Sequence, residues 1–345
     1  MTIDLTGGLD AEREFVLPGQ PDDPEMRESV NAWIWDDGAE FGLPRVGIEA
    51  VGDQWETHDI QVNIALADGR VFNIFDAGKV HDPIGADGRP RTLGAGPLSY
   101  ELVEPFRHWR GRLDGLAVQT TVRAQIDGSY RRGASDGPLV PVELALDLRS
   151  AVPPWEGGTL LEEAGLVLAT QEEGALMGGP RFEQLFRASG RLRLGDEVYD
   201  LNGGGLRIRR AGIRRLAAFR GHVWQSALFP SGRAFGLCLY PPRPDGRPTF
   251  NEGYLFDGDG ELIPARVTRA PWLRELRASG GDVSVTLETS RGETTIEGQT
   301  ILSTFATMGA DIGSASRLHL QQALARYSWD GETANGMIER SAVLG

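Results

Sequence analysis

Apolar and polar residues alternate along much of the chain with a period of two. Val142, Leu144, Leu146 and Leu148 are separated by Glu143, Ala145 and Asp147, the pattern of a strand with one buried face. Segments 118–126 (VQTTVRAQI) and 283–287 (VSVTL) read the same way. Turn-forming pairs punctuate these runs. Asp68-Gly69, Ser231-Gly232, 257–260 (DGDG) and Arg291-Gly292 each stand between β-rich segments and predict hairpins. Gly203-Gly204-Gly205 reads as a further turn rather than a phosphate cradle, because no amphipathic helix follows it. Helical periodicity is nearly absent, with only 23–28 and 271–277 suggesting short helices. Many short strands joined by tight turns predict an all-β protein built from sandwiches or barrels.

At 345 residues the chain exceeds one comfortable core. The best break lies at 151–180, where Pro153-Pro154 and the Gly-rich 173–180 (EGALMGGP) interrupt the strand pattern. The expectation is two β domains, 1–175 and 176–345. A barrel of about eight strands holds one small ligand, so an apolar cavity inside or between the domains is expected as well. An exposed edge strand would allow a homodimer, and nothing marks which edge.

Charge narrows the partners. The formal net charge is -14, which opposes non-specific binding to nucleic acid or to anionic membrane surfaces. No run reaches the length of a membrane span. The first residues, MTIDLTGGLDAEREF, show neither a basic region nor an apolar core, so no signal peptide is expected. The single cysteine, Cys238, excludes an internal disulfide framework, fits a reducing cytoplasm, and reads as a small core residue.

Several catalytic signatures are missing: no G-x-S-x-G elbow, no H-E-x-x-H helix, no P-loop. The five histidines (His58, His81, His108, His222, His319) show no paired ligand spacing, so no metal site is expected. Two segments carry the candidate chemistry. In 202–236, Arg207, Arg209, Arg210, Arg214, Arg215 and Arg220 are concentrated against the global charge, and His222-Val223-Trp224 follows. On a strand His222 and Trp224 share a face. His222 suits general acid/base work because imidazole titrates near neutrality, or it is a satisfied structural histidine. One or two arginines would face inward to hold an anion, and the rest would pair with carboxylates or face solvent. In 327–341 (YSWDGETANGMIERS), Met337, Glu339 and Ser341 share a face. A buried Glu339 would have a raised pKa and serve as general acid, or would form a structural ion pair. Trp33 and Trp35 share a strand face, and with Trp224 they are the expected wall for a flat, apolar ligand.

These segments also resemble the carotenoid 1,2-hydratase-like and tocopherol cyclase-like proteins, in a bacterial branch of that group. The likeness runs through 31–52 (NAWIWDDGAEFGLPRVGIEAVG), 98–115 (LSYELVEPFRHWRGRLDG), 182–185, the Arg-rich stretch, 251–255 (NEGYL) and the terminal WDGE…GMIERS. It implies two lipocalin-like β domains packed together. It also implies cofactor-free chemistry, in which water is added to or removed from an isoprenoid double bond, or a prenyl chain is cyclised by protonation. Such chemistry needs an acid, a base and a dry aromatic cavity. One departure stands out. Relatives read G-x-R-D-H-S-W-G-x-R where 205–214 is GLRIRRAGIR. Arg207, Gly212 and Arg214 keep their places, while Ile208, Arg209 and Ala211 replace Asp, His and Trp.

Two functional expectations follow. The first is a cofactor-independent lyase or isomerase acting on a hydrophobic terpenoid, steroid or aromatic substrate. Its catalytic residues would be Glu339 (acid), His222 (base) and Arg214 (anion stabiliser), with Trp33, Trp35, Trp224 and Arg207 contacting substrate. The second is a lipocalin-like protein that binds an apolar small molecule without turnover. Both require a pocket at the domain interface.

Overall fold

The computed structural model describes residues 3–131, 133–160, 180–213, 219–242, 246, 249–308 and 317–344. The fold is all-β. Ten strands make the first sheet: β1 (Met26–Asp36), β2 (Phe41–Val51), β3 (Thr57–Leu66), β4 (Arg70–Lys79), β5 (Thr92–Ala95), β6 (Leu98–Glu104), β7 (His108–Thr121), β8 (Leu139–Ser150), β9 (Arg181–Leu194) and β10 (Glu197–Ile213). Their spatial order is β4-β3-β2-β1-β10-β9-β8-β7-β6-β5. A further antiparallel pairing joins Arg70–Asn73 of β4 to Val118–Thr121 of β7. The sheet thereby curls back on itself, and β5 and β6 pack into its core through Leu93, Leu98, Tyr100 and Leu102. The second unit is a closed eight-stranded barrel. It is formed by β11 (His222–Leu228), β12 (Ala234–Leu239), β13 (Asn251–Phe256), β14 (Ile263–Arg269), β15 (Val285–Thr289), β16 (Gly292–Met308), β17 (Leu318–Trp329) and β18 (Glu332–Ala342).

The hairpins expected at Asp68-Gly69, Ser231-Gly232, 257–260 and Arg291-Gly292 join β3–β4, β11–β12, β13–β14 and β15–β16. Other local expectations give way. Strand β7 stops at Thr121, whose Oγ1 accepts the Ala124 N–H, and α1 (Val122–Asp127) follows, closed by Gly128 at φ 78°. Segments 23–28 and 271–277 are not helical. The three glycines are not a turn but the middle of β10. A Cβ on Gly203 would lie 2.0 Å from the Trp35 carbonyl oxygen, one on Gly204 2.9 Å from the Trp35 indole, and one on Gly205 2.3 Å from the Phe186 ring. Bulky Trp33 and Trp35 on β1 lie opposite Leu206 and Gly204, and glycine is what lets the two strands approach.

The hydrogen-bonded sheets change over between Ile213 and His222, later than the expected boundary at 175/176. The reason is that β9 pairs with β8 and β10 pairs with β1, so 181–213 completes the first sheet. Three apolar cores result from strand alternation. Val30, Ala32, Ile34 and Leu146 fill the first unit, and Val223, Leu237, Val285 and Ile338 fill the second barrel. Trp33, Leu206, Ile208, Trp224, Leu324 and Met337 form a separate core between the two. That middle layer holds the candidate site.

Candidate functional site

Strand pairing in the second barrel sets Trp224 opposite Glu339 and His222 opposite Ser341. Alternation turns all four, together with Met337, toward the first sheet, as the shared faces in the sequence predict. There Trp33 of β1 meets them. The His222 Nε2 lies 3.2 Å from Glu339 Oε1, and its Nδ1 lies 2.8 Å from Ser341 Oγ. The other Glu339 oxygen accepts from Trp33 Nε1 at 3.1 Å and Gln322 Nε2 at 2.6 Å. Gln322 is held in turn by Asn63 Nδ2 at 2.8 Å. Trp33 and Trp224 stand edge to face, with ring centroids 4.5 Å apart.

Burial by itself pushes the Glu339 carboxyl up. The hydrogen bond and charge of His222, the nearby Arg45 and the Gln322 amide outweigh it, and the carboxyl is held at about 2. The raised carboxyl expected of Glu339 is therefore not what the structure contains. Glu339 is thereby held as an anion at neutral pH. Among the described residues its ion-pair partner is His222, and no arginine lies within ion-pair distance of it.

A second carboxylate completes the layer. Glu183 accepts from Trp224 Nε1 at 2.7 Å and from Arg181 Nη2 at 2.6 Å. Between the two groups is a cavity of about 40 Å³ lined by Asn31, Trp33, Arg45, His222, Trp224 and Glu339, among others. It is smaller and more polar than the apolar pocket expected, because both tryptophans spend their indole N–H groups on carboxylates and their rings on each other. Arg45 and Arg181 also line it, and the Arg181 side chain is largely buried against Glu183. Cys238 also lines it; burial pushes its thiol up, which fits a core residue and not a nucleophile.

Trp35 lies outside this cavity. It packs on Gly204 and borders a small void of about 10 Å³ with Leu302, Leu324 and Met337. Arg207 points the other way, into the first unit. It is ion-paired to the fully buried Glu14 at 2.8 Å, bonded to Gln184 at 3.2 Å and stacked over Trp109 at 5.0 Å. Its expected substrate contact gives way to this structural pair, because odd-numbered residues of β10 in this stretch face inward. Arg209 likewise pairs with Glu28 at 2.6 Å. Arg210 faces the cavity but is bonded to Glu49 at 3.2 Å and Ser29 at 3.3 Å. Arg214 and Arg215 lie outside the described residues. Ile208 lines the cavity at the place where the resembling sequences carry Asp.

Glu183, Arg181, Gln322, Asn63 and Arg45 also belong to this layer and carry no motif or spacing in the sequence that marks them. The only local signal was that Glu183 lies in 182–185 and Arg45 in 31–52, both segments that carry the resemblance. Gln322 and Asn63 belong to different strands and meet only through the fold. Among the described residues, no cluster of His, Cys, Asp and Glu could hold a metal ion, and no helix is long and apolar enough to cross a membrane.

The profile of a family described as domain of unknown function (DUF7064) matches residues 10–343. No curated protein sequence matches the chain. Solved structures share its fold. An AttH protein of Nitrosomonas europaea superposes with a TM-score of 0.58 at 14% identity, covering 96% of this chain and 99% of that one. CghA with Sch210972 gives 0.51 at 11%, covering 96% and 97%. Kievitone hydratase from Nectria haematococca gives 0.51 at 9%, covering 96% and 94%.

Proposed function

We propose that this chain, which belongs to the DUF7064 family, is a cofactor-independent lyase or isomerase that adds, removes or shifts water or a proton on a hydrophobic small molecule. The observation that carries this reading is His222, held between Ser341 and an ionised Glu339 at 2.8 and 3.2 Å on the wall of an aromatic cavity. This revises the roles expected from sequence. His222 moves the proton in both directions, and Glu339 fixes the ring and balances imidazolium charge. In an elimination, imidazolium would protonate the departing hydroxyl, which leaves as water. The resulting neutral imidazole would then take the proton from the neighbouring carbon. The faces of Trp33 and Trp224 suit the developing positive charge. The hydratase among the structural neighbours is consistent with such chemistry on this fold; terpenoid, steroid and aromatic skeletons are the substrate classes to test.

The cavity's volume of about 40 Å³ is small beside the roughly 300–1,000 Å³ of ordinary ligand sites. Ligand entry therefore entails displacement of side chains that line it. A binding protein without turnover is the second reading. It is favoured by Ile208, which puts an apolar side chain where relatives offer a carboxylate. Incubation with a terpenoid, steroid and aromatic panel, read by mass spectrometry for gain or loss of one water, separates the two. The enzyme reading expects turnover that is lost in His222→Asn while ligand binding persists. Binding without turnover by the wild type, or full turnover by His222→Asn, overturns it.

A further inference from the structure

Neighbouring residues on an extended strand face opposite ways, so Glu339 and Arg340 of β18 serve different spaces. Arg340 turns into the second barrel, opposite Val223 and Gln321. It is only 6% exposed. Its Nε donates to Gln321 Oε1 at 2.6 Å, and its Nη1 to the carbonyls of Pro271 at 2.8 Å and Asp282 at 3.4 Å. Among the described residues no carboxylate lies within ion-pair distance of it, and Nη2 has no hydrogen-bond partner. A Cβ on Gly281 would lie 3.2 Å from that nitrogen, so glycine keeps the space beside it open. Burying a guanidinium without a counter-charge is costly, and burial pushes this one down from its ordinary value, against the pull of Tyr327, Asp282 and Glu275.

Arg340 and Gly281 line a cleft of about 400 Å³ at one end of the barrel, shaped by the segment between β14 and β15. This is ten times the volume of the interface cavity and within the range of small-molecule sites. Arg269, Arg274, Arg277 and Trp272 share the lining. Arg269 has Asp282 at 3.5 Å and Arg277 has Glu275 at 2.7 Å, both exposed pairs that hold their cations weakly. Arg274 is exposed and unpaired among the described residues. The chain carries a net charge of -14, yet here four arginines face two carboxylates.

We propose that this cleft is an oxyanion-binding site for a small molecule whose carboxylate or phosphate meets Arg340 Nη2 and Arg274 and whose flat body lies against Trp272. It stands apart from the His222 site and does not depend on the function proposed there. Isothermal titration of the intact protein with sodium benzoate and, separately, inorganic phosphate at low ionic strength tests it. Saturable binding of at least one anion is expected. It should weaken at least about fivefold in Arg274→Gln and in Arg340→Lys, weaken with added NaCl, and remain in His222→Asn. Loss of benzoate binding in Trp272→Ala would identify an aromatic carboxylate as the preferred class. Phosphate binding indifferent to Trp272→Ala would identify phosphate. The absence of saturable binding of either anion overturns the proposal, as does binding unchanged in Arg274→Gln, an exposed substitution that leaves the barrel's core intact.

Discussion

Replacing Glu339 by Gln keeps the shape of the side chain and removes its charge. In the folded protein the carboxyl is held at about 2, against 4.5 for an unperturbed glutamate, and this depression corresponds to about 3 kcal/mol of folding stability at neutral pH. Because the folded value is the lower one, the contribution is complete above the unfolded value and disappears as pH falls toward the folded one. About 1 kcal/mol is lost by pH 4 and about 2 kcal/mol by pH 3. Urea unfolding of wild type and Glu339→Gln at pH 7, 5.5, 4 and 3, followed by tryptophan fluorescence, measures this directly. Other carboxylates titrate in both proteins and cancel in the difference. The variant should be less stable by about 3 kcal/mol at pH 7, with the gap narrowing only below about pH 5. A gap that stays constant from pH 7 to pH 3, or no gap at neutral pH, would refute an ionised Glu339 held by His222, Gln322 and Trp33.

Trp33→Phe deletes the indole donor at 3.1 Å from Glu339. It should cost about 1 kcal/mol and move acid unfolding to higher pH, as an acid titration by circular dichroism would show. Gly205→Ala sets a methyl group 2.3 Å from the Phe186 ring and 2.6 Å from the Trp33 carbonyl. A loss of roughly 1–3 kcal/mol is expected, visible as a lower melting temperature; an unchanged melt would mean β1 and β10 are not so closely apposed. Arg207→Met strands the buried Glu14 and should destabilise by roughly 3–5 kcal/mol. Adding Glu14→Gln should recover part of that loss in a double-mutant cycle, whereas additive losses would deny the pair.

Strand identity and strand faces were legible in the sequence because alternation is local: each residue's side depends on its neighbours two positions away. That is why His222 with Trp224, and Met337 with Glu339 and Ser341, were grouped correctly before any partner strand was known. The turn pairs at Asp68-Gly69 and Ser231-Gly232 were readable for the same reason, since two residues set a hairpin's geometry. Where local chemistry had two solutions, the structure chose. Gly203-Gly204-Gly205 suits a turn by composition but serves as a stretch of strand closely packed under the Trp35 indole and the Phe186 ring, and 118–126 divides at a capping threonine.

What tertiary structure alone decided was which charges meet. For the arginines of 202–236 the sequence implies pairing with carboxylates, solvent exposure or an inward-facing anion site, without saying which. In fact Arg207 and Arg209 are neutralised by Glu14 and Glu28, residues nearly two hundred positions away in the chain, and Arg210 by Glu49. Arg340, next to Glu339 in the sequence, has no carboxylate within ion-pair distance among the described residues. Glu339 itself went from expected acid to settled anion because its neighbours come from β1, β11 and β17. Proton affinity depends on burial and on charges within a few ångströms. Those distances are created only when distant strands pair and the two units close on each other. The sequence by itself determined an all-β chain with its aromatic and ionisable residues on definable faces. The packing of one sheet against one barrel decided which of those residues come together.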